Sequence, residues 1–244
     1  MRTKIVAAAL GATLLSGCLP AEKQSFIRIK GRAEIERTPD NVTIVATIRG
    51  RGTTREASLA AGAAALKKIQ STAPALKGLK KVRLTSTDAN VSTTRGRDCD
   101  EYNVRADCPL VGYLTSFKLT LVASPAAVAG PAFSLLSELG AEEVEVVEYG
   151  LDDPEAVREA AVKAAVEDAR RKAEVIAAAS GATITKLASA NFGTDDYDSD
   201  VVPELEPSNE SAPRYMLVSP KIEVTLAPAP IKTTVEVTAA FEIE

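Results

Sequence analysis

The chain predicts an α+β fold: a mixed, mainly antiparallel β-sheet with three packed helices, one of them long and Ala-rich, arranged as one body or as two small lobes. Three observations carry this prediction. Several segments alternate apolar and polar residues with period two, others repeat small apolar residues at helical spacing, and an aromatic share of 4% with no Trp leaves Ala, Val, Leu and Ile to build the core. A core of such small side chains requires helix and sheet to lie close together.

The first alternating segment, residues 25–36, reads as a half-buried strand and residues 42–48 as a second. Between them Thr38-Pro39-Asp40-Asn41 has turn chemistry, Pro presetting φ and Asp or Asn bonding the local backbone, so the two strands are expected to form a hairpin. From Thr53 the period lengthens. Ala57, Ala60, Ala61, Ala64, Ala65 and Ile69 fall at helical spacing, Thr53 or Thr54 is placed to cap, and Pro74 and Gly78 end the helix. Residues 82–92 and 110–122 alternate again, residues 125–139 read as a second helix stopped by Gly140, and residues 144–149 as another strand.

The strongest helical signal follows, with Asp153 at the N-cap, Pro154 at the first helical position and Gly181 just past the end. Val157, Ala161, Ala165, Ala169, Ala173 and Ile176 form its small-residue stripe. Glu159 with Lys163, Glu167 with Arg171 and Asp168 with Lys172 are acid-first pairs four residues apart on the other face. Further strands are expected over 183–191, 221–226 and 233–243, with an acidic, Pro-bearing loop at 195–213 ahead of the last two.

Composition narrows the function. The chain has no His, which removes Ser-His-Asp and Cys-His catalysis, and no carboxylate pair stands out for glycosidic chemistry, so no catalytic residue is nominated and an enzyme is not expected. Asp196, Asp198 and Asp200 alternate as calcium ligands do. An EF-hand loop would need Gly and Glu where Val201 and Pro207 stand, so no metal site is assigned and a hydrated acidic loop is the plainer reading. Gly50-Arg-Gly52 is too short for a phosphate loop, and no cofactor is expected. Lys77, Lys80, Lys81 and Arg83 make a small basic patch, read as a solvated connector or as a contact with anionic lipid or peptidoglycan.

Residues 1–17 read as a lipoprotein signal peptide. Arg2 and Lys4 form a positive start, an apolar stretch of about eleven residues falls well short of the ~20 that span a bilayer, and Leu15-Ser16-Gly17-Cys18 resembles the bacterial lipobox. Cys18 is then the expected lipid-attachment residue, with residues 18–25 as a tether and the membrane as a partner through that lipid. Without Arg2 and Lys4 the chain has 27 basic and 33 acidic residues, a net charge of −6, which disfavours nucleic acid. Cys99 and Cys108 remain as an even pair in an oxidising compartment and are expected to form a disulfide; their eight-residue separation is not the redox-active C-x-x-C spacing.

Several segments together resemble one family. Gly31-Arg-Ala-Glu-Ile followed by Pro39-Asp40, Gly112-Tyr113 inside a long strand, and Asp153-Pro-Glu with the run AVEDARRKAEVIAAASG, which includes Asp168 and Ala169 and ends at Gly181, are similar to the SIMPL domain (DUF541) family over residues 26–244. The resemblance implies antiparallel sheet with packed helices, export in bacterial members, large ring or channel-like oligomers in some, an association with oxidative-stress tolerance, and no established catalytic residue. The chain departs from the family pattern ahead of Gly112-Tyr113, where a cysteine-bracketed loop replaces a segment containing Pro and Tyr. Each matched motif also has a structural reading: a turn at Pro39-Asp40, relief of backbone crowding at Gly31, close helix packing around Ala169.

The expected function is therefore that of a lipid-anchored cell-envelope protein, a homo-oligomer or partner-binding structural protein. Leu19 after Cys18 favours the outer membrane, facing the periplasm, in a Gram-negative source. The alternative is a binding module for a small apolar or amphipathic ligand held between sheet and helices.

Overall fold

The computed structural model describes residues 25–96, 109–193 and 217–244. Cys18, Cys99, Cys108 and the acidic segment 195–213 lie outside the described residues. Within them the chain runs β1 (Ser25–Arg37), β2 (Asn41–Gly52), α1 (Arg55–Thr72), β3 (Lys81–Arg95), β4 (Leu110–Ser124), α2 (Ala129–Glu138), β5 (Ala141–Gly150), α3 (Pro154–Ser180), β6 (Ile184–Phe192) and β7 (Ile231–Ile243). The strands form two antiparallel sheets, ordered β3-β4-β2-β5 and β1-β7-β6. The fold is α+β in two lobes, α1 and α2 covering the four-stranded sheet and α3 the three-stranded one.

The larger lobe has a conventional apolar core. Even-numbered residues of β2 (Val42, Ile44, Ala46, Ile48) and odd-numbered residues of β4 (Phe117, Leu119, Leu121) point to one face, where Ile69, Leu135 and Leu136 meet them. Burying each of the larger side chains contributes roughly 1.5–3 kcal/mol. Thr54 caps α1, its Oγ1 accepting from Ala57 N–H at 3.1 Å. Pro74 falls in the 3-10 turn Ala73–Ala75 that follows, and α2 is entered through a second such turn, Ala126–Val128.

The smaller lobe is built on alanine. Asp153 caps α3 by accepting from Ala156 N–H at 2.9 Å, Pro154 starts the helix, and Gly181 closes it at φ +73°. The buried stripe is Ala161, Ala165, Ala169, Ala173 and Ala177, a strict four-residue repeat. Val157 is only half-buried and Ile176 is exposed, which corrects the predicted stripe at both ends; a four-residue step drifts around a 3.6-residue helix, and the sheet follows that drift. Glu159–Lys163 and Asp168–Lys172 pair as expected, but Arg171 turns to Asp168 rather than to Glu167.

Two predicted strand relations are corrected. β1 and β2 do not form a hairpin: β1 pairs along its whole length with β7, while β2 has β4 on one side and β5 on the other. Residues 38–40 are instead a crossover between lobes. Alternation identifies a strand but not its partner, and both edges of β2 are taken by strands distant in sequence. Residues 221–226 form no strand. The chain there is an extended strap across α2, with the N–H groups of Lys221 and Ile222 bonded to Glu138 Oε1 at 2.7 and 3.0 Å. Pro220, Pro228 and Pro230 remove donors from this segment and break a ladder. Val218 makes an isolated bridge to Leu76, and Val224 passes so close to α2 that a Cβ on Gly130 would collide with its carbonyl oxygen.

Candidate functional site

The first place where motif residues meet is the junction of the lobes. Pro39 is buried and Asp40 exposed in the crossover from β1 to β2, facing the crossover from β5 to α3. Asp40 Oδ2 accepts from Asp152 N–H at 3.1 Å, Asp40 N–H donates to the Gly150 carbonyl at 2.8 Å, and Asn41 Nδ2 donates to Asp152 Oδ1 at 3.0 Å. Lys81 Nζ lies 3.7 Å from Asp152. A Cβ on Gly150 would sit 2.5 Å from Asn41 Oδ1, so the Asn41 side chain would have to shift from its bond to Asp152. The Pro-Asp motif thus binds the two chain crossings to each other. This is a structural lock between the two crossings.

The second place is the flank of α3 on β1. A Cβ on Gly31 would collide with the Ala165 carbonyl and lie 2.7 Å from Ala169 N, so helix and strand touch backbone to backbone. Asp168 Oδ2 accepts from Arg32 N–H at 3.0 Å, and Lys172 Nζ donates to the Lys30 carbonyl at 3.2 Å. Both backbone groups belong to β1, which among the described residues has no strand on its other side, so the helix covers part of that sheet edge. Lys172 at 2.6 Å, the Arg32 N–H and Arg171 at 3.0 Å hold the Asp168 carboxyl down to a pKa of about 2. The sequence pointed to Asp168, Ala169 and Gly31 separately; the structure brings them together.

The third is the far half of the β3–β4 hairpin. From Thr85 to Arg95 β3 is exposed throughout, and Val91, Leu110 and Val111 are 42%, 50% and 54% exposed. Gly112 and Tyr113 pair with Thr94 and Thr93 near the far end of this arm, where β4 leaves β2. Gly112 is buried where β4 passes β2, a Cβ there falling 2.8 Å from the Gly52 carbonyl oxygen, and the half-buried Tyr113 ring carries the Arg55 guanidinium 5.4 Å above it.

Sequence reasoning passed over the contacts that seat α1. A Cβ on Gly50 would strike Gly62 and Ser58, and Ser58 Oγ and Thr115 Oγ1 form a fully buried hydrogen bond of 2.9 Å. A signal existed: a Gly inside an Ala-rich helix costs about 1 kcal/mol relative to Ala and asks for a packing reason. These contacts bring α1 onto β2 and β4 at backbone distance. Among the described residues one hollow, about 370 Å³ and open to solvent, is lined by Lys68, Thr72, Leu135, Glu138, Val218 and Lys221, and another, about 170 Å³, lies between α3 and the three-stranded sheet, lined by Val166, Arg170, Ile184, Leu187 and Phe241. No group of three or more His, Cys, Asp or Glu side chains among the described residues is arranged to hold a metal, and no described helix is long and apolar enough to cross a membrane.

No curated protein matches the sequence. A family model does, described as "Protein of unknown function (DUF541)", SIMPL, over residues 27–241. That span takes in both sheets, all three helices and each motif above, and with it the chain belongs to the SIMPL (DUF541) family.

Proposed function

We propose that this SIMPL-family chain is a cell-envelope protein, anchored by lipid on Cys18 at the outer membrane and facing the periplasm, that works by self-association or by holding an envelope partner, in support of envelope or oxidative-stress tolerance, and that it is not an enzyme. The observation that supports this reading best is the β3–β4 arm. β3 is the outer strand of the four-stranded sheet and is exposed from Thr85 to Arg95, and the exposed Val91, Leu110 and Val111 gain burial in a contact with another chain. The arm leads directly to the segment holding Cys99 and Cys108, whose disulfide we propose as the staple of the contact loop.

The test is the solution mass, by light scattering, of a chain begun after Cys18, with and without reductant. A discrete oligomer that falls apart when Val91, Leu110 and Val111 are all changed to Ser supports self-association through the arm. A monomer at every concentration, with and without reductant, removes self-association and leaves a partner protein to be found by cross-linking in the envelope.

A further inference from the structure

An Asn two residues before Ser or Thr, with no Pro between, is the acceptor pattern for N-linked sugar in exported chains. The sequence holds it three times, at Asn41-Val-Thr43, Asn90-Val-Ser92 and Asn209-Glu-Ser211. Only Asn90 has an acid two residues ahead of it, Asp88; Pro39 and Pro207 stand in that place for the others. A carboxylate there gives a transferase a charge to pair with, whereas a proline fixes the backbone it must grip.

The fold separates the candidates further. Asn41 is 4% exposed and its Nδ2 donates to Asp152 Oδ1, which leaves no room for a sugar. Asn209 lies outside the described residues. Asp88, Asn90 and Ser92 are all exposed on β3, the outer strand of the four-stranded sheet, and steps of two residues put their side chains on one face. They pair with Lys118, Ser116 and Leu114 of β4. Val91 between them pairs with the buried Thr115, whose hydroxyl meets Ser58 of α1, and so faces the opposite, helix-bearing side. A sugar on Asn90 therefore stands on the open side of the sheet, displaces no packed side chain and leaves Val91 for the contact proposed above. It also screens an outer strand edge against pairing with other chains.

We infer that Asn90 is an N-glycosylation site, modified by an envelope oligosaccharyltransferase. In the transfer Asn90 Nδ2 bonds to the reducing-end C1 of an oligosaccharide carried on a polyprenyl diphosphate. The bond from C1 to the diphosphate oxygen breaks, the polyprenyl diphosphate leaves with that electron pair, and the amide gives up one proton. The inference rests on the envelope reading above, because the acceptor must reach the compartment that holds the lipid-linked sugar.

The full chain is isolated from the cytoplasm and the envelope of its source separately, and its peptides are weighed by tandem mass spectrometry. The expected result is a sugar on Asn90 in the envelope fraction, bare Asn41 and Asn209, and loss of the sugar in Asn90→Gln. Ser92→Ala removes the pattern by a second route should Asn90→Gln fail to accumulate. Bare Asn90 in envelope chains that begin at Cys18 overturns this inference and leaves the envelope reading standing; bare Asn90 in chains that stay in the cytoplasm with residues 1–17 retained overturns both. Sugar on Asn41 overturns the selection by the fold, and undiminished sugar in Asp88→Asn overturns the part given to the acid.

Discussion

The two lobes solve one problem, seating a helix on an antiparallel sheet, with different materials. In the larger lobe α1 and α2 bury branched and aromatic side chains, and the helix is positioned by shape: Ile44, Ile48, Leu119 and Leu136 fill the space between layers. In the smaller lobe the buried set is Ala169, Ala173, Ala239 and Phe241, with Ile27, Ile29 and Ile184 at its margins. Alanine alone gives a helix little to register against, because small side chains offer neither ridges nor much area. The compensation is polar and sits at the rim. Asp168 and Lys172 hold α3 to the backbone of β1, while ion pairs such as Lys30–Glu236 and Lys232 with Glu34 and Glu36 tie β1 to β7 on the open face. A thin core can therefore be ordered by directional bonds at its border.

Breaking the shape term at the glycines should have the largest effect. Gly50→Ala places a Cβ into the backbone of α1, and Gly31→Ala does the same between β1 and α3. Each is expected to cost about 3 kcal/mol or more, read as a fall in urea midpoint. The smaller lobe should fail first in Gly31→Ala, seen as lost amide protection in β1, β6 and β7 while β2 and β4 stay protected. Equal loss in both lobes would show that they unfold as one unit.

A smaller effect tests the polar pair inside the larger core. Ser58→Ala leaves the Thr115 hydroxyl buried without its partner and is expected to cost roughly 1–3 kcal/mol, whereas adding Thr115→Val should recover part of that loss. If the double variant is no better than the sum of the two single ones, the hydrogen bond contributes nothing specific.

The smallest effect concerns the rim of the smaller lobe. Asp168 has a folded pKa of about 2, below its ordinary value of 3.8, so it contributes stability that is present above about pH 4 and is lost as pH falls towards 2. Asp168→Asn should lower the Tm slightly at pH 7, and the gap should narrow as pH falls from about 4 through 2, closing only below the folded pKa. A gap that is as wide at pH 2 as at pH 7 would assign the effect to packing rather than to charge.

Much of the fold was legible from local chemistry. The Asp153-Pro154 start and Gly181 stop of α3, the Thr54 cap, and the alternation of β1, β2, β4 and β7 all act over a few residues, and all appear in the structure where the pattern places them. Less was legible at the motifs. Pro39-Asp40 read as a hairpin turn because its chemistry is that of a turn, yet its partners, Gly150 and Asp152, are more than a hundred residues away. Residues 221–226 alternated like a strand and became a strap because Glu138, on another element, took the donors a ladder would have used.

By itself the sequence determined the elements, their caps and their buried faces, because propensity, capping and period are properties of neighbouring residues. It also determined the family, through motifs read in order. Tertiary structure alone decided that β1 belongs with β7, that two sheets form instead of one, and that Gly31, Gly50, Asp40 and Asp168 are points of close approach. Pairing and close packing depend on which backbones meet across long stretches of chain, and a period of two or 3.6 residues carries no information about a partner.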